Sequence, residues 1–111
     1  MDAITDEFMN QMLLKTKPYS FVILRTGPNR YMEGVEKIIW EHGRRNFALR
    51  EKGLLSIVCP ISSEDDIRGI GIFNATVEET KKIMDEDPGV KAGVFFYEVL
   101  QCRSFPGDSL P

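Results

Sequence analysis

Hydrophobic residues recur along this chain with two periods. From residue 35 to about residue 52, Val35, Ile38, Ile39 and Leu49, together with His42 and Asn46, share roughly one third of the circumference of a helix turning about 100° per residue. The spacing predicts a helix closed by Gly53, which tolerates the left-handed conformation of a helix C-terminus. Four other segments are short, β-branched and aromatic, and read as strands: "YSFVILRT" (19–26), "LLSIVCPIS" (54–62), "IRGIGIFNA" (67–75) and "VFFYEVLQCRSF" (94–105). Gly69 and Gly71 in the third mark a bulge or a close approach by another group. "SSEDD" (62–66) reads as the solvated turn of a hairpin.

Two more helices follow from their starts. Thr5 is placed to cap a helix over residues 5–15, with Asp6 and Glu7 at the positive end of its dipole and Phe8, Met9, Met12 and Leu13 on one side; Lys17-Pro18 closes it. Thr76 and Glu79 form a capping box, so a helix should run from Val77 to about Asp85, stopped by the turn "DPGVKAG" (87–93).

After the first helix the order is strand, helix, strand, strand, helix, strand. This is the split βαβ pattern of an α+β, ferredoxin-like βαββαβ sandwich, with both helices on one face of an antiparallel sheet. The division is an N-terminal helical extension (1–18), one domain (19–105) and a C-terminal tail (106–111). Strand one carries Phe21 and Ile23 opposite Val22 and Leu24, and strand two Leu55, Ile57, Cys59 and Ile61 opposite Leu54 and Val58, so both faces of the sheet call for cover. A chain this short supplies helices for one face only. A homodimer formed through the other face is the economical expectation.

Composition narrows the classes. The 111 residues are 42 % hydrophobic, enough for one ordinary domain. The net charge of −3, from 17 acids and 14 bases mixed along the chain, offers no electrostatic footprint for nucleic acid or an anionic membrane. The start has no basic region before its apolar residues, and no apolar run is long enough to span a bilayer, so a cytoplasmic location is expected. Cys59 and Cys102 are far apart in strand-like segments and read as reduced, mostly buried thiols. A single histidine cannot supply the usual metal cluster, and phosphate-binding loops, nucleophile elbows and flavin or haem patterns are missing; neither metal nor organic cofactor is expected.

Two features break local rules, and function is often found where local rules fail. His42 lies on the core-facing stripe of its helix, where a histidine satisfied by a backbone carbonyl is the ordinary alternative to a catalyst. In "MDEDPG", Asp85, Glu86 and Asp87 crowd a helix C-terminus, where the dipole disfavours negative charge. Asp85 and Glu86 read as solvated. A carboxylate of Asp87 beside His42 would hold the imidazole in one tautomer and form an acid–base dyad.

These residues carry a specific resemblance. His42, Gly53 in "EKGLL", Cys59-Pro60 and "DPGVKAGV" (87–94) occur in the order and spacing of the YCII-related (YciI-like) family, over roughly residues 19–105. The resemblance implies a dimeric α+β barrel of ferredoxin-like subunits, each with a pocket between sheet and helices that holds a His–Asp pair, here His42 and Asp87. A dehydrochlorinase activity on chlorinated hydroxyquinols is ascribed within the family; that substrate is not carried over. Three features depart from the family pattern. Cys59 stands where a glycine is usual and is expected to narrow the pocket or supply a thiol. Gly89 replaces a bulky residue and is expected to loosen a wall, and the helix over 5–15 is expected to cap the pocket or extend the dimer contact.

Two functions follow. The first is a cofactor-independent enzyme in which His42 is the general acid or base and Asp87 orients it, catalysing isomerisation, elimination or tautomerisation of a small organic substrate, with Arg45, Asn46 and Cys59 as substrate-binding candidates. The second is a non-enzymatic dimeric module that binds a small molecule or another protein, with His42 and Asp87 as a structural hydrogen bond.

Overall fold

The computed structural model describes residues 3–111; Met1 and Asp2, the first two residues of the expected N-terminal extension, lie outside the described residues. The elements are α1 (Asp6–Leu13), β1 (Lys17–Thr26), α2 (Val35–Glu51), β2 (Leu55–Pro60), β3 (Ile67–Phe73), α3 (Val77–Asp85), α4 (Pro88–Lys91) and β4 (Phe95–Ser104). The strands form one antiparallel sheet in the order β2-β3-β1-β4. The fold is a small α+β arrangement compatible with the ferredoxin-like pattern.

The sheet's alternation sorts its side chains into rows. Three rows face the helices: Leu55, Phe73, Ser20 and Gln101; Val58, Gly71, Val22 and Val99; Pro60, Gly69, Leu24 and Tyr97. Val22, Leu24, Leu55 and Phe73 are buried there with Val35 and Leu49 of α2, Met84 of α3, and Val94 and Phe95. Rows on the opposite face join Ile57, Ile72, Phe21 and Leu100, then Cys59, Ile70, Ile23 and Glu98. Among the described residues no helix covers this second face, and Leu100 and Phe96 on it are about half exposed.

Several boundaries differ from the sequence expectation for identifiable reasons. Lys17 and Pro18 do not close α1; they begin β1, where Pro18 pairs only with Arg103 of β4. β3 does not reach that far along β1, so the missing proline N–H removes no bond from a second neighbour. Residues 87–93 are more than a turn, since they contain the one-turn helix α4. Gly53 adopts φ 77° just beyond α2, as its position required. The capping box at Thr76 is present, with Glu79 N–H donating to Thr76 Oγ1 at 3.1 Å and Thr76 N–H to Glu79 Oε1 at 3.0 Å.

Thr5 caps α1 through Phe8 N–H, yet α1 packs substantially on no other element and has no buried residue. Its Phe8, Met9 and Leu13 are about half exposed. The described chain is correspondingly elongated, with a radius of gyration of 16.6 Å against about 13 Å for a compact domain of this length. Cys59 and Cys102 are free and half-buried, not buried as expected, because their rows lie on the uncovered face. Among the described residues, no helix is long and apolar enough to cross a membrane.

Candidate functional site

The site begins with a helix that is too short to stand alone. After α3, Asp87 takes an extended backbone (φ −68°, ψ 132°) and Pro88 opens α4, the first-turn position where its fixed φ helps and its missing donor is not needed. Asp87 is the N-cap: its Oδ2 accepts from Gly89 N–H at 3.0 Å and Val90 N–H at 3.1 Å. Asp87 therefore does not burden the end of α3. It stabilises the beginning of α4, where negative charge is favoured.

The same carboxylate meets His42 from the middle of α2. His42 Nδ1 lies 2.8 Å from Asp87 Oδ1 and 2.9 Å from Oδ2. Asp87 is 1 % exposed, and the His42 side chain 12 %. A carboxylate accepts, so Nδ1 donates, and the second ring nitrogen, Nε2, is the acceptor of a neutral imidazole. Asn46, one helical turn on, places Nδ2 3.4 Å from Nε2. The ring of Phe95 lies 5.0 Å from the imidazole at a 49° tilt.

Gly89 fixes the depth of this corner. A Cβ there would sit 2.7 Å from Phe95 Cδ2 and 3.1 Å from Asp87 Oδ2. The glycine tightens the wall, contrary to the loosening expected of it, because the Phe95 ring fills the space that a side chain would take.

His42 opens onto a cavity of about 340 Å³ between the sheet and α2. Its floor is the helix-facing side of the sheet, including Val22, Leu55, Val58, Gly69, Gly71 and Phe73. The two glycines leave room over β3. A Cβ on Gly69 would come 3.2 Å from the Cys59 carbonyl oxygen, and one on Gly71 3.2 Å from Leu55 Cδ1. These close approaches explain why glycine stands twice in a strand of otherwise bulky residues.

The expected binding residues fall in different places. Asn46 lines the cavity beside His42. Cys59 borders it, while sheet register assigns Cys59 to the row of Ile70 and Ile23 on the uncovered face. Arg45 is not on the cavity wall; its Nη1 lies 3.8 Å from Asp87 Oδ1 and supplies a positive charge beside that carboxylate. Asp85 and Glu86 are exposed but not merely solvated: Tyr97 Oη donates to Asp85 Oδ1 at 2.5 Å, and Lys91 Nζ lies 3.0 Å from Glu86 Oε2. Burial and, next, the bond to Asp85 push the Tyr97 phenol up to about 12.

Arg30 and Arg68 also line the cavity and were not singled out from sequence. Arg68 occupies the bulge between the pairs Arg25–Ile67 and Leu24–Gly69. Bulges re-aim a side chain, and the neighbouring Gly69 was the one sequence signal of it. Arg30 sits in a loop and carried no such signal.

The chemistry available is proton transfer: an imidazole oriented by a buried carboxylate, with its second nitrogen beside Asn46, which lines the cavity. Among the described residues, no three or more histidine, cysteine, aspartate or glutamate side chains gather where they could hold a metal.

Comparison with known proteins yields little beyond this geometry. No protein-family model and no curated protein matches the chain. Among solved structures, the chain is similar to the 5-chloro-2-hydroxyhydroquinone dehydrochlorinase TftG from Burkholderia phenoliruptrix AC1100 in complex with 2,5-dihydroxybenzoquinone, at a TM-score of 0.49 and 21 % identity, over 73 % of this chain and 90 % of that one.

Proposed function

We propose that this protein is a YciI-like, cofactor-independent enzyme in which His42 exchanges a proton with a small organic substrate and Asp87 orients it. The observation that carries this reading is the bifurcated contact of His42 Nδ1 with both Asp87 oxygens at the edge of a largely apolar cavity. Once Nδ1 donates to Asp87, a neutral ring offers Nε2 as base, and the protonated ring offers the same position as acid. Proton transfer by a group so placed is typically worth about 10²- to 10⁴-fold. It suits isomerisation, elimination or tautomerisation, in which a proton moves to or from carbon.

The same reading makes the uncovered sheet face a homodimer contact and α1 its extension. Phe21, Ile72 and Leu100 form an apolar row there, and among the described residues none of α1 is buried.

The test is deuterium exchange into carbon acids, followed by proton NMR over a panel of hydroxylated aromatics and keto and halogenated acids. His42→Gln should fold normally and abolish exchange. Unchanged exchange in His42→Gln rejects the dyad as catalyst. Absence of any exchange in the wild type, with panel members still bound, favours the non-enzymatic binding module. Light scattering tests the dimer: Phe21→Glu should halve the mass of the wild type, and a wild-type monomer removes that contact.

A further inference from the structure

Among the described residues, two guanidinium groups on the cavity wall form no ion pair, and the exposed Asp65 carboxylate acts on Arg68 only from beyond ion-pair distance. Arg30 is carried by the loop from Gly27 to Gly34, which is tied to the segment before β4. Gly27 N–H donates to the Val94 carbonyl at 2.8 Å, Asn29 N–H to the Gly93 carbonyl at 2.9 Å, and Asn29 Nδ2 to the Ala92 carbonyl at 2.9 Å. This approach requires a glycine, since a Cβ on Gly27 would lie 2.3 Å from the Gly93 oxygen. Arg30 is thus held on a braced loop, its guanidinium carbon 5.1 Å from the centre of the Tyr31 ring.

Arg68 is held by different means. The β3 bulge leaves it unpaired with β1, its carbonyl accepts from Ile61 N–H at 3.0 Å, and its Nη2 donates to the carbonyls of Ser63 and Asp65 in the β2–β3 turn. Carbonyls fix the guanidinium plane without neutralising its charge. The Nε of Arg30 and the Nε of Arg68 are both buried with no hydrogen-bond partner in the chain. Among the described residues, neither arginine lies within ion-pair distance of a carboxylate, and no aspartate or glutamate lines the cavity. The chain is net acidic, at −3, so two unpaired arginines on one cavity are not a consequence of basic composition.

We infer that the cavity binds a small organic carboxylate, its anionic end on Arg30 and Arg68 and its carbon body on the glycine-opened floor of the sheet. The inference rests on reading this cavity as the substrate site and names the class of substrate. Guanidinium N–H groups match the paired oxygens of a carboxylate, and such charge-assisted bonds are the strong ones. The rest of the wall is mainly aliphatic and aromatic, with Val22, Leu55, Val58, Phe73 and Phe95 facing the ligand body. A compact ring or branched chain with one charged end fits that division of polarity. A phosphate ester, with two charges and more oxygens, would leave acceptors against apolar wall.

The probe is benzoate, with benzamide as its neutral isostere and inorganic phosphate as the competing anion. NMR follows the arginine Nε–H signals and the ring of His42, the single histidine. Benzoate should move the Arg30 and Arg68 signals at millimolar concentration, and benzamide should not. Arg30→Gln should weaken benzoate about tenfold or more, the effect of removing one charged hydrogen-bond donor. Arg68→Lys, which keeps the charge and loses the buried Nε–H donor, should weaken it as well; if that variant loosens the turn, Arg30→Gln still decides. Equal binding of benzamide, no shift with benzoate, displacement of benzoate by phosphate, or full affinity in a folded Arg30→Gln each overturns the inference. His42→Gln separates the two readings. Arginine-dependent benzoate binding without carbon-acid exchange leaves the carboxylate site standing and removes the enzyme, whereas His42-dependent exchange without charge selectivity does the reverse.

Discussion

The helices α3 and α4 follow one another in the chain and start in the same way, but their caps do different amounts. Thr76 begins α3 on the surface, and its capping box satisfies only backbone groups of its own turn. Asp87 begins α4 in the interior. One of its oxygens caps the helix and also meets His42, the other meets His42 and faces Arg45. The acid at the far end of α3, Asp85, stays exposed and engages one phenol. Three carboxylate and hydroxyl groups close in sequence thus differ in consequence according to what the tertiary structure brings to their free side. Burial multiplies the effect, since an unpaired polar group inside the protein has no water to replace a lost partner.

The largest test of this contrast is Asp87→Ala. It removes the cap of α4 and the partner of His42 together, and should destabilise the protein by about 3 kcal/mol, read from urea unfolding. A loss no greater than that of an exposed cap would make the two helix starts equivalent. Gly89→Ala comes next. Its Cβ drives into the Phe95 ring and presses on Asp87, so a loss of about 1 to 3 kcal/mol is expected, with displaced His42 ring signals in NMR. An unchanged His42 environment would show that the corner is not tightly packed.

Thr76→Ala should cost about 1 kcal/mol, and a smaller part of that in acid. The Glu79 carboxyl is held below its ordinary range, first by the Thr76 backbone N–H and then by the Thr76 hydroxyl. A lowered folded value means that the contribution is present above the unfolded value of about 4.3 and is lost as pH falls through the folded one. The difference between wild type and variant should therefore narrow at low pH, and a constant difference would contradict the box. The smallest effect is at Tyr97. With its folded value raised to about 12, its contribution is present below the unfolded value of about 10 and lost as pH rises through 12. Ultraviolet titration of the three tyrosines should show one late component that Tyr97→Phe removes.

The legible parts of this protein were those written in neighbouring residues. The period of α2 put His42 inward, the Thr76–Glu79 spacing marked the start of α3, and Gly53 marked the end of α2. Harder to read were features that depend on an encounter between segments. The run Asp87–Ala92 looks like a helix terminator because Pro88 forbids continuation of α3, and nothing local says that the same proline opens a new turn. Arg45 looks like a cavity residue by its distance from His42 along the helix; its position beside Asp87 depends on where α4 docks. Arg30 has no periodic context at all, and its place on the cavity follows from a loop braced on residues more than sixty positions away, as in the Asn29–Ala92 bond.

By itself, the sequence determined the order of the strands and of the helices other than α4, the caps of α1 and α3, and the inward direction of His42. Each depends on bonds and periodicities spanning a few residues, which a chain expresses wherever it is placed. Tertiary structure alone decided that the Asp87 carboxylate expected beside His42 also caps α4 and faces Arg45, that two arginines face one apolar cavity, and that α1 lies unpacked on its own chain. Those outcomes depend on which buried polar groups find partners, and distant segments supply the partners only when the sheet has assembled.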